Sequence, residues 1–155
     1  MYSTRVSRLV RAPRAAVYRA LVDAEAIATW RVPAGMSGRV HEFEAREGGR
    51  FRVSLTYDQP GAAGKSAAHT DTYHGHFARL VPDERVVEVV EFETEAAGLR
   101  GAMTMTTTLA DVPGGTEVSV VHEGIPDDVP PGDNETGTRM ALDNLAELVE
   151  SQVSR

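Results

Sequence analysis

From residue 36 the apolar residues recur with period two, and they keep that period through a series of short segments before a helical period takes over the last stretch of chain. Residues 38–46 carry Val40, Glu42 and Glu44 on one face and Phe43 on the other. Phe51, Val53, Leu55 and Tyr57 then alternate with Arg50, Arg52, Ser54 and Thr56. Strand-like segments follow at 69–81, 85–93, 101–110 and Thr116–Glu123. Between them lie Gly48-Gly49, which is expected to supply the positive φ angles of a tight hairpin, Pro82-Asp83, a turn centred on Gly98, and Pro113-Gly114-Gly115. Strands joined in series by hairpins pair antiparallel. Residues 58–68 are small and polar and read as a mobile loop.

The flanks of this meander are different. Residues 3–11 approach a strand, with Val6, Arg8 and Val10 on one face. Pro13 opens a short helix over 14–22, and Asp23 caps a second one through Ile27 to Trp30. A Pro-, Asp- and Gly-rich segment at 124–136 leads into a helix over about 132–153, where Met140, Ala141, Asn144, Leu145, Leu148, Val149 and Gln152 recur at helical steps. The order is strand, two short helices, about six strands, long helix. Helices segregated from an antiparallel meander make an α+β domain, here a curved sheet of six or seven strands around the C-terminal helix. The 155 residues suit one domain spanning 1–155.

Composition narrows function mainly by exclusion. The chain has no cysteine, which removes disulfides, thiolate catalysis and Cys-ligated zinc. A net charge of −7 opposes nucleic-acid phosphate and anionic membrane, so neither is expected as a partner. Arg5, Arg8, Arg11, Arg14 and Arg19 are the nearest thing to a basic cluster and read as a solvated surface. No apolar h-region opens the chain, and a cytoplasmic location is expected.

Several motifs, in order, resemble one family. They are V-x-x-A-L-V-D-A-E-A-I-A-x-W (Val17 to Trp30), E-F-E-A-R-E-G-G-R-F (Glu42 to Phe51) and Y-H-G-H-F-A-R-L-V-P-D-E-R-V-V (Tyr73 to Val87). G-G-T-E-V-S-V-V-H-E-G (Gly114 to Gly124) and L-D-N-L-A-E-L-V-E (Leu142 to Glu150) follow. Together they resemble the heat-shock-protein-90 ATPase activator-like family of the START-related superfamily, which includes polyketide cyclases and the birch pollen allergen. The resemblance covers nearly the whole chain. It implies a helix-grip fold with a cavity between sheet and last helix, often open to apolar ligands, and it implies no single activity. Two positions depart from the family pattern. Thr138 follows Gly137 where many relatives carry Trp, and Glu44 stands where an Asp is usual.

Candidate site residues follow from that cavity. Trp30, the only tryptophan, either lines its mouth or pins the short helices to the sheet. Met103, Met105 and Met140 form an apolar set from sheet and helix that suits a variable ligand or ordinary core. Phe43, Tyr57, Tyr73, Phe77, Phe92 and Leu145 carry the same ambiguity, and Thr138 leaves room beside the helix. His74 and His76 share a strand face, and His69 or His122 would be the third ligand of a metal set, but no carboxylate sits at a completing spacing and no metal or other cofactor is expected. Gly75 between them signals a bulge or close packing.

No high-specificity catalytic motif is present. The favoured expectation is a binding or carrier protein for a small apolar molecule, neutral or cationic, held by Trp30, Phe43, Tyr57, Tyr73, His76, Phe77, Phe92, Met103, Met105, His122, Thr138, Met140 and Leu145. One alternative is an acid–base enzyme of cyclase or hydrolase type using His122 or His76, with Tyr73 as donor and no assigned catalytic residue beyond these. Another is a co-chaperone-like interaction module presenting Glu88, Glu91, Glu93 and Glu95 as an acidic face, with heat-shock protein 90 itself a disfavoured partner. A homodimer is expected through an exposed edge of the 85–93 strand.

Overall fold

The first strand, β1 (Tyr2–Val10), pairs not with its neighbour in sequence but with the last strand, β7 (Gly115–Ile125). Between these, in chain order, the computed structural model, which describes residues 1–58 and 70–154, places α1 (Arg14–Leu21), α2 (Ala24–Trp30), β2 (Met36–Phe43), β3 (Arg50–Tyr57), β4 (Thr70–Val81), β5 (Arg85–Phe92), a 3-10 turn at Ala97–Leu99 and β6 (Met103–Val112). The chain closes with α3 (Pro131–Val153). The strands form one curved antiparallel sheet in the order β1-β7-β6-β5-β4-β3-β2. The meander explains five of its six pairings. The pair α1–α2 carries the chain from one edge of the sheet to the other. The expected loop over 58–68 and His69 fall, except for Asp58, outside the described residues.

Local sequence accounts for the elements. Asp23 caps α2 by accepting from the Ala26 N–H at 3.0 Å. Pro131 opens α3 at a position where a missing N–H costs nothing, and Asp133 in the first turn complements the helix dipole. Only Gly48 of the Gly48-Gly49 pair has a positive φ, +78°. Gly49 is required for closeness instead, because a Cβ there would lie 2.0 Å from the Glu44 carbonyl oxygen. The connection 44–49 is thus a wider loop than a two-residue hairpin, tied to β4 by Gly48 N–H to Phe77 O at 2.7 Å and Phe77 N–H to Gly49 O at 2.9 Å.

Strand alternation assigns each side chain to a face. Facing α3 are Phe51 and Val53 of β3, Tyr73 and Phe77 of β4, Val86, Glu88 and Val90 of β5, Met103, Thr107 and Leu109 of β6, and Val118 and Val120 of β7, all buried. Phe43, Phe51 and Phe77 fill the β2–β4 end edge-to-face, with ring centroids 5.5 Å apart for Phe43–Phe77 and 5.2 Å for Phe51–Phe77. Gly75 lets this happen, since a Cβ there would reach 2.9 Å from the Phe51 ring and 1.9 Å from the Val89 carbonyl oxygen. From α3, Leu142, Leu145, Ala146 and Val149 are each at most 1% exposed.

Several expectations need correction here. Glu88 belongs to the inner face and is 2% exposed, so it is not part of an acidic outer face. On that outer face Glu91 and Glu93 meet His74, at 3.4 and 3.1 Å, and Glu93 also meets Arg52 at 2.8 Å. Both edges of β5 are paired, with β4 and β6, so the 85–93 strand offers no edge to a second copy. The outer strands are β1 and β2.

Candidate functional site

Small residues on the first half of α3 leave a cavity against the sheet. Gly137, Thr138 and Ala141 lie in its helical wall, flanked by Asp133 and Asn134 on one side and Leu142 on the other. Its volume is ≈ 370 Å³. The floor comes from β5–β7 through Val90, Phe92, Met103, Met105, Thr107, Val120 and His122, with Tyr73 from β4. Leu21, Trp30, Arg31 and Pro33 close the side toward α1 and α2, and Leu99, with the Asp128–Pro130 segment, borders the rest.

Of the residues expected in the site, Trp30, Tyr73, Phe92, Met103, Met105, His122 and Thr138 come together around this cavity. The other six lie elsewhere. Phe43 and Phe77 belong to the aromatic cluster, and Leu145 to the closed half of the core. Tyr57 ends β3 opposite Met36 at the outer strand β2. His76 is exposed because it has the opposite strand parity from Tyr73 and Phe77. Met140 is 36% exposed and sits on the outer side of α3 beside Asn144 and Leu148, along a shallow groove against Thr29 and Val32.

Trp30 is buried, and its side-chain hydrogen bond ties the two short helices to each other rather than to the sheet. It lines the cavity, and its indole N–H donates to the Ala20 carbonyl at 2.9 Å, locking α2 to α1. Asn144 of α3 adds donations to the carbonyls of Trp30 and Val32 at 3.3 and 3.4 Å.

Sequence reasoning missed the strongest polar feature. Arg31, immediately after Trp30, forms a two-pronged pair with Glu88: Nη1 to Oε1 at 2.9 Å and Nη2 to Oε2 at 2.5 Å. Its side chain is 12% exposed and that of Glu88 3%. The guanidinium also stands 5.0 Å from the Trp30 ring centroid, a cation–π distance. Burial pushes the Arg31 guanidinium down, but Glu88, and less so Tyr73, outweigh this and hold it above its ordinary value. The signal was available: Glu88 shares strand parity with the apolar Val86, Val90 and Phe92.

In the cavity wall His122 Nε2 is buried without a hydrogen-bond partner among the described residues. The Tyr73 hydroxyl, beside the donating Arg31 guanidinium, has no acceptor for its own proton among them. Burial pushes the Tyr73 phenol up, and the neighbouring Arg31 draws it only partly back, so it stays a neutral hydroxyl. His122 is lowered to about 4 by burial and then by the Arg31 charge, so its ring is neutral near pH 7. Its other nitrogen, Nδ1, lies 3.1 Å from Asn134 Nδ2. The Asn134 carbonyl oxygen in turn accepts from the Thr4 hydroxyl at 2.6 Å.

Comparison with known proteins follows the same outline. A family model described as activator of Hsp90 ATPase homolog 1-like protein matches residues 11–150. A crystal structure of a Chromobacterium violaceum protein is 36% identical, covering 96% of this chain and 97% of that one, with a TM-score of 0.85. A Rhodobacter sphaeroides protein, at 19% identity and 97% and 93% coverage, has a TM-score of 0.78. An Aeromonas hydrophila protein described as AHSA1-like, at 20% identity with 99% and 95% coverage, has a TM-score of 0.73. The last two show the fold alone. No curated protein matches the chain. No helix among the described residues is long and apolar enough to cross a membrane.

Proposed function

The chain belongs to the activator of Hsp90 ATPase homolog 1-like family, and on that premise we propose that it binds a small, mainly apolar molecule in the cavity beneath the first half of α3. The observation that carries this reading is the cavity itself. Its ≈ 370 Å³ lies within the range of roughly 300–1,000 Å³ typical of small-molecule sites. Apolar side chains such as Phe92, Met103, Met105 and Val120 make most of its floor, and few polar groups interrupt them. Methionine at two of these positions suits a wall that adapts to its contents.

The test is binding of N-phenyl-1-naphthylamine, a neutral apolar fluorophore that brightens on leaving water. Saturable enhancement at one molecule per chain is expected. A linear, unsaturable response would remove the reading. Native mass spectrometry of protein purified from its own host is expected to show one co-purified small molecule.

An acid–base enzyme reading loses ground in this geometry. A general base needs a lone pair facing the substrate. The His122 nitrogen that accepts is Nδ1, and it is occupied by Asn134. His76, the other candidate, is on the exposed face.

A further inference from the structure

Resting on that ligand reading, we propose that the cavity selects an apolar molecule bearing a neutral hydrogen-bond-accepting oxygen, a ketone, ester or lactone carbonyl, held by the Tyr73 O–H and the His122 Nε2–H. The direction of one hydrogen bond decides which His122 nitrogen carries the proton. An amide nitrogen only donates, so Asn134 Nδ2 facing His122 Nδ1 makes Nδ1 the acceptor. A neutral imidazole that accepts at Nδ1 carries its proton on Nε2. In the same arrangement the Thr4 hydroxyl donates to the amide's carbonyl oxygen at 2.6 Å. The chain Thr4–Asn134–His122 therefore ends in an N–H donor buried in the cavity wall.

Tyr73 supplies the second donor. Tyr73 and His122 line the same cavity, and each carries one buried polar atom without a geometric hydrogen-bond partner among the described residues. A buried donor without an acceptor is costly, and the cost is relieved only by something that accepts. The pairing of Arg31 with Glu88 cancels the one formal cation in the wall among the described residues. Asp128 and Asp133 add negative charge to the lining. A carboxylate would meet donors but no net positive charge, whereas a neutral carbonyl needs none.

Benzophenone and diphenylmethane, which differ only in a bridging C=O against CH2, separate this claim from simple apolar binding. By equilibrium dialysis at pH 7.5, benzophenone is expected to bind about tenfold tighter, the ratio two good hydrogen bonds give. Tyr73→Phe removes one unpaired oxygen without changing shape, and His122→Phe removes the other donor. Each is expected to shrink the ratio of the two affinities severalfold. If His122→Phe does not fold, Tyr73→Phe carries the comparison alone. Side-chain nitrogen NMR of His122 is expected to show the proton on Nε2. Equal binding of the two probes, or a proton on Nδ1, would overturn the carbonyl claim and leave the ligand reading standing. Binding of neither probe, nor of the naphthylamine, would overturn both.

Discussion

Along α3 the half from Leu142 to Val149 and the half from Asn134 to Ala141 face the same sheet with opposite results. The C-terminal half inserts Leu142, Leu145, Ala146 and Val149 into a core with Val6, Val10, Val17, Leu109 and Val118, all nearly or fully buried. The N-terminal half offers Gly137, Thr138 and Ala141, and a cavity of ≈ 370 Å³ remains opposite them. Side-chain size along one helix thus divides the concave face into a closely packed part and a part that is left open. Polar chemistry divides in the same way. The side chains of the closed half named above are apolar, while Arg31 (paired with Glu88), Tyr73 and His122 line the open half.

The largest expected effect comes from breaking the ion pair at the cavity wall. Glu88→Ala leaves a buried guanidinium uncompensated, and a loss of about 3–5 kcal/mol in urea denaturation is expected. Replacing both Arg31 and Glu88 with methionine is expected to restore most of that loss, because the pair's desolvation cost disappears with it. In the closed half, Leu145→Ala is expected to cost about 2–5 kcal/mol and to leave naphthylamine binding unchanged. A binding loss larger than the stability loss can explain would blur the division between the halves.

His122 connects the open half to pH. Its pKa is about 4 in the fold against 6.5 in the unfolded chain, so the unfolded chain binds the extra proton first. Stability is therefore full above pH 6.5 and falls as pH drops toward 4, by about 3 kcal/mol over that window. The same protonation removes the acceptor that Asn134 uses. His122→Phe is expected to flatten this part of the stability profile, and an unchanged slope would place the titrating group elsewhere.

How much of this was readable in advance depends on which period carried the information. Period two assigned the faces of β3 and β6, through Phe51, Val53, Met103, Met105 and Leu109. It did not assign those of β2, where an irregularity between Val40 and Glu42 brings Val40 to the same face as Phe43 instead of the opposite one. The same rule placed Glu88 inward, but its charge invited grouping with Glu91 and Glu93, which point outward. Only its partner resolves the conflict, and Arg31 lies far away in sequence at the end of α2. On α3 the period was read with a shifted face. Met140, Asn144 and Leu148 repeat at helical steps as well as Leu142, Leu145 and Val149 do, and only the packing against β1, α1 and α2 shows which stripe turns inward. The family-pattern departure at Thr138 did mark the open half. The Asn134–His122 contact could not be read at all, because it joins the start of α3 to a strand end across a Pro-rich connection.

The difference between the two halves of α3 is tested most directly at Thr138 itself. Thr138→Trp puts a ring into the cavity where the helix is now lined by small residues. If the space is open, folding stability in urea should change by less than about 1 kcal/mol, while naphthylamine binding falls at least about tenfold. A loss of several kcal/mol, with probe binding unaffected in whatever remains folded, would mean that this half of the helix is packed like the other and would contradict the account.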